Sequence, residues 1–342
     1  MQIHIFLFLA FIQSFVACQK GTEDVRSLAA GISLQPVATN QQMPQEVLPQ
    51  VANIVFQSFD EGLTWQDVST GLPGDIKIRE VVVSNGKVFL SAGKGNLFRS
   101  IAYAAPVSWN QEQEILQPDN IISIFPGRAG LYAFAERDGL FHKIDGMDLW
   151  IPAFSALKGE WIRCVLETGD ENLLVGSDHG IFKSADGGKV WKKVFESGSV
   201  TNLLATNGIL FASCNRGVLR SADSGENWEK VLDKNGMAFI TELTEGSVAA
   251  ILKSNGEPQS KDRLFVSTDS GLSWQSRNLP PSRIILDVVQ VDKYLFCSLE
   301  GGIFRSTDQG QTWELVFPSE GKFFRLATFG QMIFAVQADA GC

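Results

Sequence analysis

The chain has 342 residues, 44% of them apolar, so it can bury at least one large core and is neither a disordered nor a collagen-like polymer. Its 29 Lys and Arg stand against 38 Asp and Glu, a net charge of −9 without a basic run, which argues against nucleic acid as a partner. With 32 Gly, 24 Phe and 8 Trp, the composition suits many short strands joined by tight turns.

The first segment differs from the rest. "IHIFLFLAFIQSFVAC" is an apolar run ending at Cys18. It is too short to cross a bilayer as a helix, for which about 20 apolar residues are needed, but it suits the apolar part of a secretory signal. Residues 1–17 are therefore expected to be a signal peptide. The pair Ala17-Cys18 resembles a bacterial lipoprotein box, which implies lipidation at Cys18 and a membrane association only through that anchor. No Lys or Arg precedes the run and Phe15 stands where Leu is usual, so a plain cleaved signal is the other reading. Residues 18–50, rich in Gln, Pro and small residues, read as a flexible tether.

From Val51 to Cys342 the chain repeats itself. The stretch "SFDEGLTW" at 58–65 returns as "SADGGKVW", "SADSGENW", "STDSGLSW" and "STDQGQTW". These copies carry Asp60, Gly62 and Trp65; Asp186, Gly188 and Trp191; Asp223, Gly225 and Trp228; Asp269, Gly271 and Trp274; Asp308, Gly310 and Trp313. Two decayed copies end at Trp109 and Trp150, so the gaps between successive tryptophans are 44, 41, 41, 37, 46 and 39 residues. Each unit of about 41 residues holds four short apolar runs separated by Gly or Asn turns, the pattern of a β-propeller blade. After Trp313 the last unit supplies three strands and lacks the fourth, of the "GIFRS" type, and the segment "NIVFQS" at 53–58 is an unpaired strand of that type. The expected fold is all-β, a seven-bladed β-propeller of four-stranded blades with its ring closed by the N-terminal strand.

The box residues have mechanical roles. Asp can accept backbone N–H bonds two residues on, Ser does so more weakly, Gly supplies φ > 0, and Trp wedges a large apolar surface between blades. A calcium loop would need three or more oxygen-bearing side chains where each box offers one dependable acid. The boxes read as architecture, with no metal and no cofactor expected. They resemble the Asp-box, or bacterial neuraminidase repeat, superfamily over residues 51–342. That superfamily includes sialidases, xyloglucanase-type hydrolases, sortilin-type receptors and propellers like the photosystem II assembly factor. The resemblance implies boxes on the face away from the ligand site and says little about activity.

On that arrangement the ligand face holds the turns between second and third strands, where Glu136, Asp138, Asp178, His179, Arg216 and Glu300 stand out. The innermost strands carry polar residues at nearly one register: Arg79 and Glu80, Ser123, Arg163, Asn202, Glu242, Asp287 and Arg325. A hydrated, salt-bridged channel is one reading of this ring; a small anionic or sugar ligand held by Arg79, Arg163 and Arg325 is the other. Three arginines resemble the sialidase triad, but its Arg-Ile-Pro motif is replaced by "IRE" at 78–80, and Tyr103, Tyr132 and Tyr294 lack a nucleophile's context. No catalytic residue is assigned. Cys164, Cys214 and Cys297 lie in strand-like runs and read as small buried apolar residues.

The sequence thus points to a secreted, lipid-anchored binding or scaffold module of the bacterial cell envelope, in the periplasm or at the outer-membrane surface. It is expected to be monomeric and non-catalytic, recognising a protein or glycan at the channel mouth. A glycoside hydrolase of the sialidase or xyloglucanase type is the alternative.

Overall fold

The computed structural model describes residues 53–338, apart from 104–105, 113–120, 129, 137, 147–148, 154–156, 158, 170–171, 234–235, 255–259 and 281. The expected signal peptide, tether and lipidation at Cys18 lie outside the described residues. Among the described residues, twenty-eight strands make up almost all of the regular structure.

Five antiparallel sheets have four strands each. In chain order they are β7 (Ile121–Gly127), β8 (Gly130–Ala135), β9 (Gly139–Ile144) and β10 (Trp150–Ala153), then β11 (Ile162–Gly169), β12 (Asn172–Ser177), β13 (Gly180–Ser184) and β14 (Lys192–Phe195). The third is β15 (Val200–Thr206), β16 (Ile209–Cys214), β17 (Gly217–Ser221) and β18 (Glu229–Asp233). The last two are β19 (Ala238–Glu242), β20 (Val248–Leu252), β21 (Arg263–Ser267) and β22 (Gln275–Arg277), and β23 (Ile285–Val291), β24 (Tyr294–Leu299), β25 (Gly302–Ser306) and β26 (Glu314–Pro318).

The remaining eight strands form one sheet that divides into two sets. One is β3 (Ile78–Ser84), β4 (Lys87–Ala92), β5 (Leu97–Ile101) and β6 (Asn110–Gln111). The other joins the two ends of the domain: β27 (Phe323–Phe329), β28 (Met332–Ala338), β1 (Val55–Ser58) and β2 (Gln66–Asp67). The two sets touch in register only at the parallel pair Ala338 and Ile78. The first strands of the sets follow one another in a closed circuit: β3 lies against β7, then β11, β15, β19, β23, β27 and back to β3. As expected, the N-terminal strand completes the last set, with Val55 to Ser58 paired to Val336 to Ile333.

The core lies between neighbouring sheets. Second strands such as β8 (GLYAFA) and β20 (VAAIL) are buried along their whole length, because both faces are covered and no polar alternation is needed. Phe211, Phe296 and Phe334 occupy equivalent places in β16, β24 and β28 and are fully buried. Each such side chain contributes about 1.5–3 kcal/mol of apolar burial. One cluster shows the arrangement: Val291, Phe296 and Ile303 of one sheet pack on Phe324, Leu326 and Ile333 of the next. Cys164, Cys214 and Cys297 are buried free thiols within these layers.

The boxes join third to fourth strands and are more tightly bonded than expected. Each serine accepts the N–H of the glycine four residues on: Ser58 from Gly62 at 3.0 Å, Ser184 from Gly188 at 2.8 Å, Ser221 from Gly225 at 2.9 Å, Ser267 from Gly271 at 2.9 Å, and Ser306 from Gly310 at 2.7 Å. The same hydroxyls donate to the box aspartates. Those aspartates reach four residues forward, as Asp308 Oδ1 accepts Thr312 N–H at 2.8 Å, rather than the two expected of an Asx turn. Each box glycine has φ between +78° and +88°. Trp65, Trp191 and Trp228 close the turn by donating Nε1–H to their own box glycine's carbonyl.

Candidate functional site

Antiparallel alternation sends the turns within hairpins to two opposite ends. The boxes share one face with the turns between first and second strands; the turns between second and third strands open on the other. Between them runs a cavity of about 730 Å³ lined by all seven first strands, the central channel.

The pairing register decides which side chains are equivalent. Five first strands carry a one-residue bulge after their first pair, between Ile78 and Glu80, Ile121 and Ser123, Ile162 and Cys164, Val200 and Asn202, and Ile285 and Asp287. β19 and β27 have none. The ring of equivalent positions is therefore Glu80, Ser123, Cys164, Asn202, Phe239, Asp287 and Arg325. Arg79 and Arg163 are bulge residues outside it, and Glu242 pairs with Val248, three residues along β19 from Phe239. The single register expected from the sequence breaks at the bulges.

The two carboxylates of this ring are bonded to the neighbouring first strand, while Arg325 Nε is buried without a hydrogen-bond partner among the described residues. Glu80 Oε2 accepts the N–H of Ile124 on the next first strand at 2.8 Å, and Asp287 Oδ2 accepts that of Leu326 at 3.0 Å. Both carboxylates staple adjacent first strands at the same relative position. Asp287 also lies 3.8 Å from Arg325 Nη1. Burial pushes the Asp287 carboxyl up to about 6 against the pull of Arg325, and it raises Glu80 too. The Asp287 side chain is about a quarter exposed, toward the channel.

Arg163 leaves the ring and clamps Asp178, Nε to Oδ1 at 2.8 Å and Nη2 to Oδ2 at 3.0 Å. The sequence put these two residues in separate sets, on a first strand and on a turn; the structure makes them one bidentate pair. The Arg163 guanidinium holds Asp178 below its ordinary value. Ser199 donates to the same carboxylate at 2.8 Å, and the guanidinium lies 5.5 Å from the Trp161 ring. Beside them His179 Nδ1 stands 3.0 Å from Glu160 Oε2. Glu300 sits exposed on its turn, and Arg79 and Glu242 are exposed as well; none of the three lines the channel cavity.

The three arginines do not converge on one point. Arg163 and Arg325 line the channel, each beside its own carboxylate, and Arg79 stands outside. Tyr103, Tyr132 and Tyr294 are absent from the channel lining. Among the described residues no group of three or more His, Cys, Asp or Glu side chains is placed to hold a metal ion.

Sequence reasoning missed the apolar part of the mouth. Phe239 lines the channel and is 36% exposed. Met237 and Ile284, in the crossovers that enter β19 and β23, are exposed at the same end of neighbouring blades. The signal was present in "MAFITE", where an aromatic residue stands in place of the ring's polar side chains, but without the bulge pattern Glu242 looked equivalent.

Residues 304–315 match the BNR/Asp-box repeat family. A comparison with curated proteins finds no match. Among solved structures, YCF48 bound to D1 peptide aligns with a TM-score of 0.58 at 18% identity, covering 79% of this chain and 96% of that one. The GH74 xyloglucanase from Xanthomonas campestris aligns with a TM-score of 0.55 at 17% identity over 73% of this chain and 46% of that one. The extracellular domain of the BT4673 one-component system from B. thetaiotaomicron gives 0.56 at 12% identity, over 79% and 40%. The chain spans less than half the length of these last two. At such identities the likeness establishes the fold: this is a β-propeller carrying Asp-box repeats.

Proposed function

We propose that this propeller, read as seven-bladed, is a non-catalytic binding or scaffold module that holds a segment of a protein partner at the channel mouth opposite the boxes. The carrying observation is the exposed apolar group of Met237, Phe239 and Ile284 beside a channel whose carboxylates are already bonded to backbone or arginine. Exposed aromatic and Met surface next to a concave opening suits a peptide more than a free sugar. The YCF48 neighbour, captured with a peptide, supports the same class of ligand. A secretory signal and a lipid at Cys18 would place the module in the bacterial cell envelope, with residues 18–50 as its tether. The extracellular domains among the structural neighbours fit that location.

The hydrolase reading retains one favourable observation, that Glu80 and Asp287 share a cavity with both carboxyls raised by burial, as a general acid requires. One experiment separates the two. Residues 19–342 are tested against a peptide array and against sialylated and xyloglucan oligosaccharides, with mass spectrometry of the products. Binding of peptides that is lost in Phe239→Asp and kept in Leu272→Asp, on the box face, supports the proposal. New glycan products that vanish in Asp287→Asn overturn it.

A further inference from the structure

A second cavity, of about 630 Å³, opens between the β7–β10 and β11–β14 sheets, away from the channel mouth. Its origin lies in the way other blades are joined. Arg220 of β17 donates Nε–H to the Ser270 carbonyl of the following box at 2.8 Å, and Arg305 of β25 donates to the Glu61 carbonyl at 3.0 Å. β21 has Val266 at the corresponding place, and there Arg277 of β22 makes the bond instead, to the Gln309 carbonyl at 2.8 Å. These arginines lie across the box glycines, with Arg220 Cδ 3.5 Å and Arg277 Cγ 3.3 Å from where a Cβ would stand on Gly271 and Gly310. A long cationic side chain thus fills the seam between one blade and the next box.

At the β7–β10 seam that place belongs to His142. Its ring is too short to reach the next box and stacks instead on Tyr132, centroids 4.2 Å apart and planes 12° apart. His142 Nε2 has no hydrogen-bond partner, and burial lowers the ring's basicity so that it stays neutral. The Tyr132 hydroxyl donates to Glu167 Oε1 at 2.5 Å, and the Arg128 backbone N–H donates to Oε2 at 2.6 Å. Both carboxylate oxygens are therefore occupied. The seam is left open, with Ile151, Pro152 and Leu173 as its apolar wall.

The charge at its rim is positive. The exposed side chains of Arg128 and Lys189 line the opening and have no ion-pair partner among the described residues. Gly169, at φ +106°, lets the Arg128 guanidinium settle against the end of β11, with Nη1 3.0 Å from where a Cβ would stand. Lys189 also feels the Asp186 carboxylate of its own box, so Arg128 is the excess cation; beside the satisfied Glu167 it favours an anion, and the stacked rings and aliphatic wall favour an apolar body.

We propose that this seam is a binding site for a small amphipathic carboxylate, an aromatic or aliphatic acid whose carboxylate meets Arg128 and Lys189 while its body fills the space an inter-blade arginine occupies elsewhere. The site lies away from the channel mouth, although Arg128 and Glu167 line the channel cavity as well.

The test uses the full chain and three probes of one shape: 3-phenylpropionate, 3-phenylpropanamide and 3-phenylpropylamine. Binding is followed by calorimetry and by the shifts of backbone amide resonances. The acid should bind at least tenfold more tightly than the amide or amine, and Arg128→Ala with Lys189→Ala should remove that preference. His142→Arg, which restores the side chain used at other seams, should abolish binding and raise Tm. Ala153→Phe, which fills the wall directly, should abolish it should the arginine variant fail to fold. Equal binding of acid and amine, no binding of the acid at 10-fold excess over a millimolar protein sample, or unchanged affinity in the filled variant would overturn the proposal.

Discussion

Gly271 and Gly187 occupy adjacent places in two copies of the same box, and replacing each by alanine should separate two physical costs. Gly271 has φ +83°, and a Cβ there would stand 2.3 Å from Phe211 Cε1, a fully buried ring of the preceding blade. Left-handed backbone costs a non-glycine residue about 1–2 kcal/mol, and forcing a methyl into a filled core costs about 1–3 kcal/mol more. Gly271→Ala should therefore lose about 2–5 kcal/mol, the sum of those two ranges. Gly187 has φ +71° and nothing within 4 Å of its Cβ position. The residues at its place in other boxes, Glu61, Ser224, Ser270 and Gln309, hold φ of 57° to 60° with side chains. Gly187→Ala should cost no more than the backbone part, about 1–2 kcal/mol. Urea unfolding followed by tryptophan fluorescence measures both, and at about 2 °C per kcal/mol for a domain of this size the difference is also visible in Tm. Equal losses in the two variants would refute the reasoning, because the box would then be governed by backbone conformation alone and not by its seat on the neighbouring ring.

Ser306→Ala removes the acceptor of the buried Gly310 N–H and the donor to Asp308, and should cost about 1–3 kcal/mol in the same unfolding assay. Asp223, Asp269 and Asp308 are held at about 2 by hydrogen bonds to Asn227, Ser273 and Thr312. Their folded values lie below the unfolded one, so their stabilisation is present above about pH 4 and is lost as pH falls toward 2; Asp308→Asn should flatten that acid limb. Asp287 has the opposite sign. Its folded value of about 6 exceeds the unfolded one, so its contribution is present below pH 3.8 and is lost as pH rises through about 6. Asp287→Asn should remove that slope from the pH dependence of unfolding while leaving the acid limb unchanged.

The fold was legible because its most repeated element carries its own punctuation. Ser, Asp, Gly and Trp at fixed offsets marked five turns, and the spacing of the tryptophans located two decayed ones, of which one keeps Asp145 and the other has lost both Asp and Gly. Closure was legible from "NIVFQS", a strand with no partner nearby in sequence. The channel was less so. Arg79 and Arg163 share a line of text with Glu80 and Arg325, but a bulge shifts them out of the ring, and only the pairing register shows which strands carry one. The clamp between Arg163 and Asp178 was hidden for a related reason: its members lie 15 residues apart, one on a strand and the other on a turn, and nothing local marks them as a pair. His142 stands where three other copies have Arg99, Arg220 and Arg305, and that substitution is what leaves the seam open.

The pairing of β1 with β28 joins residues as far as 281 positions apart, as Val55 with Val336. A ribosome releases β1 first and its partner last, so at a rate of about 5–20 residues per second the first strand waits many seconds for its place in a sheet. During that interval its apolar side, including the fully buried Val55, has no native cover. The nascent chain should need a holding chaperone, or export in an unfolded form, until β28 emerges. A circular permutant that joins β28 directly to β1 and opens the ring between two other blades would remove the wait. Such a molecule should reach the same native structure with a faster final folding step.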